Sequence, residues 1–190
     1  GIDAADGELA RIKNTPSYTG RYLDSVFDIF LNFFFLTAIC YVSETSFIMT
    51  LAAFFCIQLQ GTLYNYYYVI LRNKSIGGDT TSKIFEYKAP KALGQESQKA
   101  VNILFQIYTI VYGGFDKIIH LLDSDAYKVK TFPNWFMTLV SLYGLGFQLL
   151  IIAVMLALDL ASYIIPFFVG YSLFIFILIA IRKTVFKVKN

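Results

Sequence analysis

The chain has 190 residues, of which 57% are hydrophobic, 18% aromatic and only 15% charged, with a mean hydropathy of +0.59. A soluble domain of this length has no use for so much apolar surface, which excludes a water-soluble globular fold. The net charge of +3 points to no nucleic-acid partner, and the placement of the charges says more than their sum.

Gly1 to about Asn14 reads as a short, polar-rich helix that leaves the membrane through Arg11 and Lys13. It is too short to cross, so the chain is expected to begin partway through a membrane helix. Thr15-Pro16-Ser17 then supplies a turn, with a hydroxyl cap and a proline suited to starting a helix. The next helix is expected from about Tyr18 to Tyr41; Val26 to Val42 is interrupted only by Asp28, Asn32 and Thr37. Ser43–Ser46 forms a tight turn that caps a return helix from about Ser46 to Arg72, uncharged from Phe47 to Leu71. The inner half of that helix carries Gln58, Gln60, Thr62, Tyr64, Asn65, Tyr66, Tyr67 and Tyr68. Such groups satisfy one another across helices or line a cavity. Cys40 and Cys56 fall inside these crossings and read as packing residues, not as a disulfide.

Residues 73–98 form a polar, basic loop whose Lys83, Lys88 and Lys91 suit anionic lipid headgroups or solubility. Over about 100–123, Leu104, Ile107, Val111, Phe115, Ile118 and Leu122 make an apolar stripe. Asn102, Gln106, Thr109, Gly113, Lys117 and His120 occupy the opposite one, where His120 reads as a surface residue. This pattern fits an amphipathic helix on the cytoplasmic interface, or packed over the bundle, better than a crossing. Thr131 and Pro133 start a fourth crossing, uncharged from Trp135 to Leu158. A hairpin at Leu158–Tyr163 leads into the last, uncharged from Ala161 to Ile181, with Pro166 as a candidate kink. Each long stretch approaches the ~20 residues needed to span hydrocarbon. With these crossings all 16 Lys and Arg lie on one side, while the opposite turns carry Glu44 and Asp159. The basic side is therefore assigned to the cytoplasm. The expectation is one all-α, polytopic, integral membrane domain over 1–190, N-terminally incomplete.

Asp3 and Asp6 are three apart, and Asp24 and Asp28 four apart, so each pair projects from one face of its helix. The short turn between the helices lets the pairs converge at the cytoplasmic end. Two bare carboxylates about 4 Å apart repel by roughly 4 kcal/mol at an effective dielectric of about 20. Four therefore call for hard divalent cations, and a metal pair suits phosphoryl-type displacement. Gly7 and Gly20 remove side chains where the helices approach, Ala10 is small, and Arg11 can reach a phosphate. Clustered intramembrane carboxylates also mark ion paths, so a divalent-cation transporter is the alternative from another class.

Residues 3–28 resemble the signature of the CDP-alcohol phosphatidyltransferase family, D-x2-D-G-x2-A-R-x8-G-x3-D-x3-D, without a departure. The crossings that follow resemble the family's six-helix core without its first helix. The resemblance implies a transferase of phosphorus-containing groups in phospholipid biosynthesis. It would move a phosphatidyl or substituted-phosphate group from a CDP-linked donor, such as CDP-diacylglycerol, to an alcohol hydroxyl and release CMP. It implies that Asp3, Asp6, Asp24 and Asp28 hold two divalent cations, Mg2+ or Mn2+, with Asp28 as general base. Gly7, Ala10, Arg11 and Gly20 would border the CDP moiety, the protein would be a homodimer, and the site would face the cytoplasm. For a phosphorylated acceptor, Arg21 and Arg72 are the candidate phosphate ligands. An inactive, truncated homologue is the remaining alternative.

Overall fold

The computed structural model describes residues 17–75, 86–94 and 96–186. Ser17, in an extended conformation, caps the first helix, α1 (Tyr18–Ser43), by accepting the Gly20 N–H at 2.9 Å. Its hydroxyl also donates to Glu96 Oε1 at 2.8 Å. That oxygen further accepts the Thr19 N–H (2.7 Å) and Thr19 Oγ1–H (2.6 Å), while Oε2 takes the N–H groups of Tyr18 (3.2 Å) and Leu93 (3.1 Å). A carboxylate from 77 residues downstream thus sits on the positive end of α1, meeting orphan donors and the helix dipole together.

Three faces of α1 go to three surroundings. Tyr18, Tyr22, Val26, Ile29, Leu36 and Ile39 are buried. Phe27, Phe30 and Phe34 are 57%, 49% and 63% exposed, a surface tolerable only against lipid. Arg21, Asp24, Asp28 and Asn32, at spacings of three and four, line an internal cavity. Glu44, in the left-handed region at φ 52°, ends α1 and starts the turn into α2 (Phe47–Ser75). The two helices run antiparallel, with Leu36 and Ile39 against Ala53 and Ile57.

The next helix, α3 (Gln98–Leu122), begins beside the start of α1, where Tyr22 packs on Val101 and Phe105. It ends beside the inner ends of α2 and the last helix, so both of its termini lie at one end of the bundle. There Asp123 is fully buried and accepts hydrogen bonds from Tyr67 Oη and Arg182 Nε, both at 2.7 Å. Arg182 Nη2 completes an ion pair with Asp123 Oδ1. Tyr66 Oη donates to the Asp123 carbonyl at 3.0 Å, and Lys183 Nζ to the Leu122 carbonyl at 2.7 Å. Arg182, one of the 16 cations assigned to the basic side, is a core residue, because Asp123 satisfies it there. A short 3-10 turn at Ala126–Lys128 follows, and Lys74 Nζ donates to the carbonyls of Tyr127 and Val129.

The two remaining apolar stretches are each interrupted. The expected continuous crossing from Trp135 is two helices, α4 (Asn134–Ser141) and α5 (Leu145–Ala157), bent by 50°. Gly144 sits at the bend. A Cβ there would lie 3.1 Å from the Ser141 carbonyl oxygen and 3.6 Å from the Tyr64 ring. The last stretch is α6 (Ala161–Tyr171) and α7 (Phe174–Val185). Pro166, the candidate kink, lies inside α6, and the interruption comes at Ser172–Leu173. The cause is polar competition for a carbonyl. Gln60 Nε2 reaches across from α2 to the Phe168 carbonyl (3.2 Å) and Ser172 Oγ (2.7 Å), while Ser172 Oγ itself donates to Phe168 (3.0 Å). Gln148 of α5 closes the network on Gln60 Oε1 at 3.0 Å.

Three helices or helix pairs, Tyr18–Ser43, Phe47–Lys74 and Ala161–Val185, are long and apolar enough to cross a membrane. The bent α4–α5 pair makes a fourth if it is one span. The described residues contain no strand. The molecule is an all-α integral membrane protein.

Arg182→Met strands a buried carboxylate and is expected to destabilise the detergent-solubilised protein by about 3–5 kcal/mol. Adding Asp123→Leu should recover most of that loss in thermal unfolding; equal losses would show that the charge is not what matters. Burial raises the Glu96 carboxyl's pKa, but the bonds from Thr19, Ser17 and Leu93 outweigh it and hold the carboxyl down to about 2. Because the folded value is depressed, the stabilisation is complete above the ordinary value of 4.5 and is lost as pH falls toward 2. Discounted for its half-exposed site, Glu96→Gln should cost about 1 kcal/mol at pH 7. That is a Tm lower by about 2–4 °C. The gap to the native protein should narrow between pH 5 and pH 3, and a constant gap would count against the carboxylate.

Candidate active site

A cavity of about 680 Å³ opens among α1, α2, α3, the segment at Glu86–Tyr87 and the first turns of α5. From α1 come Asp24, exposed toward it, and Asp28, half-buried, one helical turn apart and both on its wall. Asn32 continues the stripe one turn deeper. From α2 come Gln58, Gly61, Tyr64 and Asn65, so the polar inner half of that helix divides its work. Gln60 joins the Gln148 network, Tyr66 and Tyr67 bind Asp123, Thr62 donates to the Gln58 carbonyl, and Gln58, Tyr64 and Asn65 face the cavity.

The wall from α3 overturns the reading of its stripes. Thr109, Gly113, Lys117 and His120 of the polar stripe face the cavity, joined by Tyr108, Tyr112 and Asp116. Ile107 and Ile118 of the apolar stripe are exposed at 37% and 44%, while Phe115 is buried. The polar face therefore turns inward, toward polar space enclosed by the bundle. His120 is half-buried, with Nδ1 3.4 Å from Tyr66 Oη, and is not a surface residue.

At the mouth, Arg21 Nη2 pairs with Glu86 Oε2 at 2.5 Å, and its guanidinium lies 4.5 Å from the Tyr22 ring centre. Tyr22 Oη donates to the same Glu86 oxygen at 2.6 Å. Arg21, a sequence candidate for acceptor phosphate, thus lines the cavity with its charge engaged by a carboxylate. Arg72 does not line the cavity. Gly20 lies in the exposed first turn of α1, off the cavity wall; a Cβ there would meet the capping Ser17 Oγ at 3.2 Å. Asp3, Asp6, Gly7, Ala10 and Arg11 lie outside the described residues.

A model of the CDP-alcohol phosphatidyltransferase family matches residues 1–158. The chain belongs to this family. No curated protein and no solved structure matches it. Family membership carries CDP-alcohol phosphotransferase-type activity, with CDP-linked donors and alcohol acceptors handled in a membrane, and a general dependence on divalent metal.

Asp24 and Asp28 fit the metal requirement as hard oxygen donors one turn apart on one cavity wall. Among the described residues, no group of three or more His, Cys, Asp or Glu is placed to hold an ion.

Sequence reasoning missed Glu86, Asp116, Tyr108 and Tyr112. Glu86 sits in an aperiodic loop and left no signal. The other three could have been found, because Tyr108, Tyr112, Asp116 and His120 recur every four residues on one face.

Gly61 offers a test of the cavity, since a Cβ there meets nothing within 4 Å. Gly61→Leu should fold normally, with a Tm at or above that of the native protein. Its CMP release should fall at least tenfold; full activity would mean the cavity is not where the reaction occurs.

Proposed function

We propose that the protein is a CDP-alcohol phosphotransferase of phospholipid biosynthesis, working at the cytoplasmic face of the membrane. It would transfer a phosphatidyl or substituted-phosphate group from a CDP-linked donor, such as CDP-diacylglycerol, to an alcohol and release CMP. The observation that carries this reading is the pair Asp24 and Asp28, one above the other on the wall of a cavity large enough for such a ligand. Asp3, Asp6, Asp24 and Asp28 would hold two divalent cations, Mg2+ or Mn2+. When bound, these neutralise the phosphate oxygens and stabilise the departing one.

The acceptor oxygen attacks phosphorus, the bond from phosphorus to the CMP oxygen breaks, and the hydroxyl proton goes to Asp28. Asp28 suits that role because it is the deeper carboxylate, one turn inside Asp24 and half-buried. Gly7, Ala10, Arg11 and Gly20 would border the nucleotide. The protein would work as a homodimer.

The cytoplasmic assignment follows the charges. Lys74, Lys88, Lys91 and Lys183 lie at or near the end of the bundle where α1 begins, and the opposite turns carry Glu44 and Asp159. On the same reading α3, with both termini at that end, lies at the cytoplasmic interface beside the mouth.

Asp28→Asn in membranes supplied with CDP-diacylglycerol and a panel of alcohols should reduce CMP release by about 100-fold or more. CDP should still stabilise the variant thermally in Mg2+. Retained turnover would remove Asp28 as the base. A native protein indifferent to CDP would overturn the reading and favour the cation-transporter alternative.

A further inference from the structure

Among the described residues lining the cavity, the carboxylates Asp24, Asp28, Glu86 and Asp116 outnumber the cations Arg21 and Lys117. Glu86 has an 8% exposed side chain; Arg21 and Tyr22 satisfy Oε2, while Oε1 is buried without a partner among the described residues. Asp116 lies on the facing helix and lines the same cavity. Its one described hydrogen bond is a long one from Tyr108 Oη, at 3.5 Å. Tyr108 also packs beside the partners of Glu86: its ring lies 5.2 Å from the Tyr22 ring and 6.0 Å from the Arg21 guanidinium. Tyr112, stacked on Tyr108 at 5.3 Å, carries the wall on toward Asp24 and Asp28, whose charges reach it along with that of Asp116. Lys117 lines the same cavity with an exposed side chain, and His120 is engaged with Tyr66. Glu86 thus sets a buried acceptor atom, without a partner among the described residues, near aromatic rings in a cavity whose described lining is net negative.

An unpaired buried carboxylate oxygen costs about 1–3 kcal/mol or more until a donor reaches it. A small cation with N–H donors, set against tyrosine faces, answers both the charge and the orphaned atom. We propose that Glu86 and Asp116, with the rings of Tyr108 and Tyr112, form a subsite for the protonated amine of an amino alcohol. The proposal rests on the transferase reading above. The amine can arrive on the free acceptor or on a CDP-linked donor, and the chemistry of recognition is the same. A phosphorylated acceptor would instead have to displace Glu86 from Arg21.

The test is CMP release from membranes carrying the full chain, in two arms. One offers CDP-diacylglycerol with ethanolamine, glycerol or glycerol phosphate; the other offers diacylglycerol with CDP-ethanolamine or CDP-glycerol. In one arm the amine-bearing substrate should lead its neutral counterpart by at least tenfold in kcat/KM. Glu86→Gln and Asp116→Asn should each cut that ratio at least fivefold, mainly through KM for the amine. Glu86→Gln also breaks the contacts to Arg21 and Tyr22, so Asp116→Asn reads the charge by itself. Preference for glycerol or glycerol phosphate, or a ratio untouched by Asp116→Asn, overturns the proposal while leaving the transferase reading in place. Absence of both CMP release and CDP-dependent thermal stabilisation overturns the two together.

Discussion

The buried ion pair between Asp123 and Arg182 is the contact on which the cavity depends. It lies where α3 ends, α2 presents Tyr66 and Tyr67, and α7 passes toward its own end. In lipid the hydrophobic effect does little to press helices together, because the surrounding tails are as apolar as the side chains. Polar contacts and close packing must fix the arrangement. Asp123 does this at one end of α3 and the Glu96 collar on α1 does it at the other. Between those anchors α3 is held with its polar face over α1 and α2, which gives the cavity its third wall. The pair also ties in α7, which lies beyond the region matched by the family model.

Much of this was legible in the chain. The apolar stretches are long enough to declare themselves, and Ser17 reads as a cap because a hydroxyl before a helical run has one common use. Asp24 and Asp28 fall on one face by helical arithmetic, and the structure puts both on the cavity wall. What could not be read depends on partners far away in sequence. Nothing local to Ser172 says that Gln60 will claim the Phe168 carbonyl and interrupt the helix there instead of at Pro166. The bend at Gly144 needs the Tyr64 ring beside it to become intelligible. Arg182 looks like a tail cation until Asp123 is seen beneath it.

The reversal of α3 has a more general cause. An amphipathic pattern establishes that one face of a helix meets polar surroundings, but not whether those are bulk water or an enclosed polar space. In a soluble protein the two differ little, since the apolar face goes to the core either way. In a membrane protein with an internal cavity they are opposites. Ile103, Ile107, Ile110 and Ile118 are exposed because their natural solvent is hydrocarbon. Thr109, Tyr112, Asp116 and His120 turn inward because the cavity is the polar space that the bundle encloses.

That inversion also changes what Arg21 means. From the sequence it is a cation one turn before Asp24, available to an anionic group. In the fold it is stacked on Tyr22 and paired with Glu86, so its charge is already engaged. A site of the proposed kind, gathering several phosphate oxygens around its aspartates, would already depend on divalent cations for charge balance. Adding carboxylates beside it is unfavourable unless the ligand brings a positive charge of its own to that place. On the proposed reading, the Glu86 oxygen left unsatisfied among the described residues marks where that charge would sit. The signature aspartates would then supply the chemistry shared across the family, and the loop and helix facing them would select the alcohol.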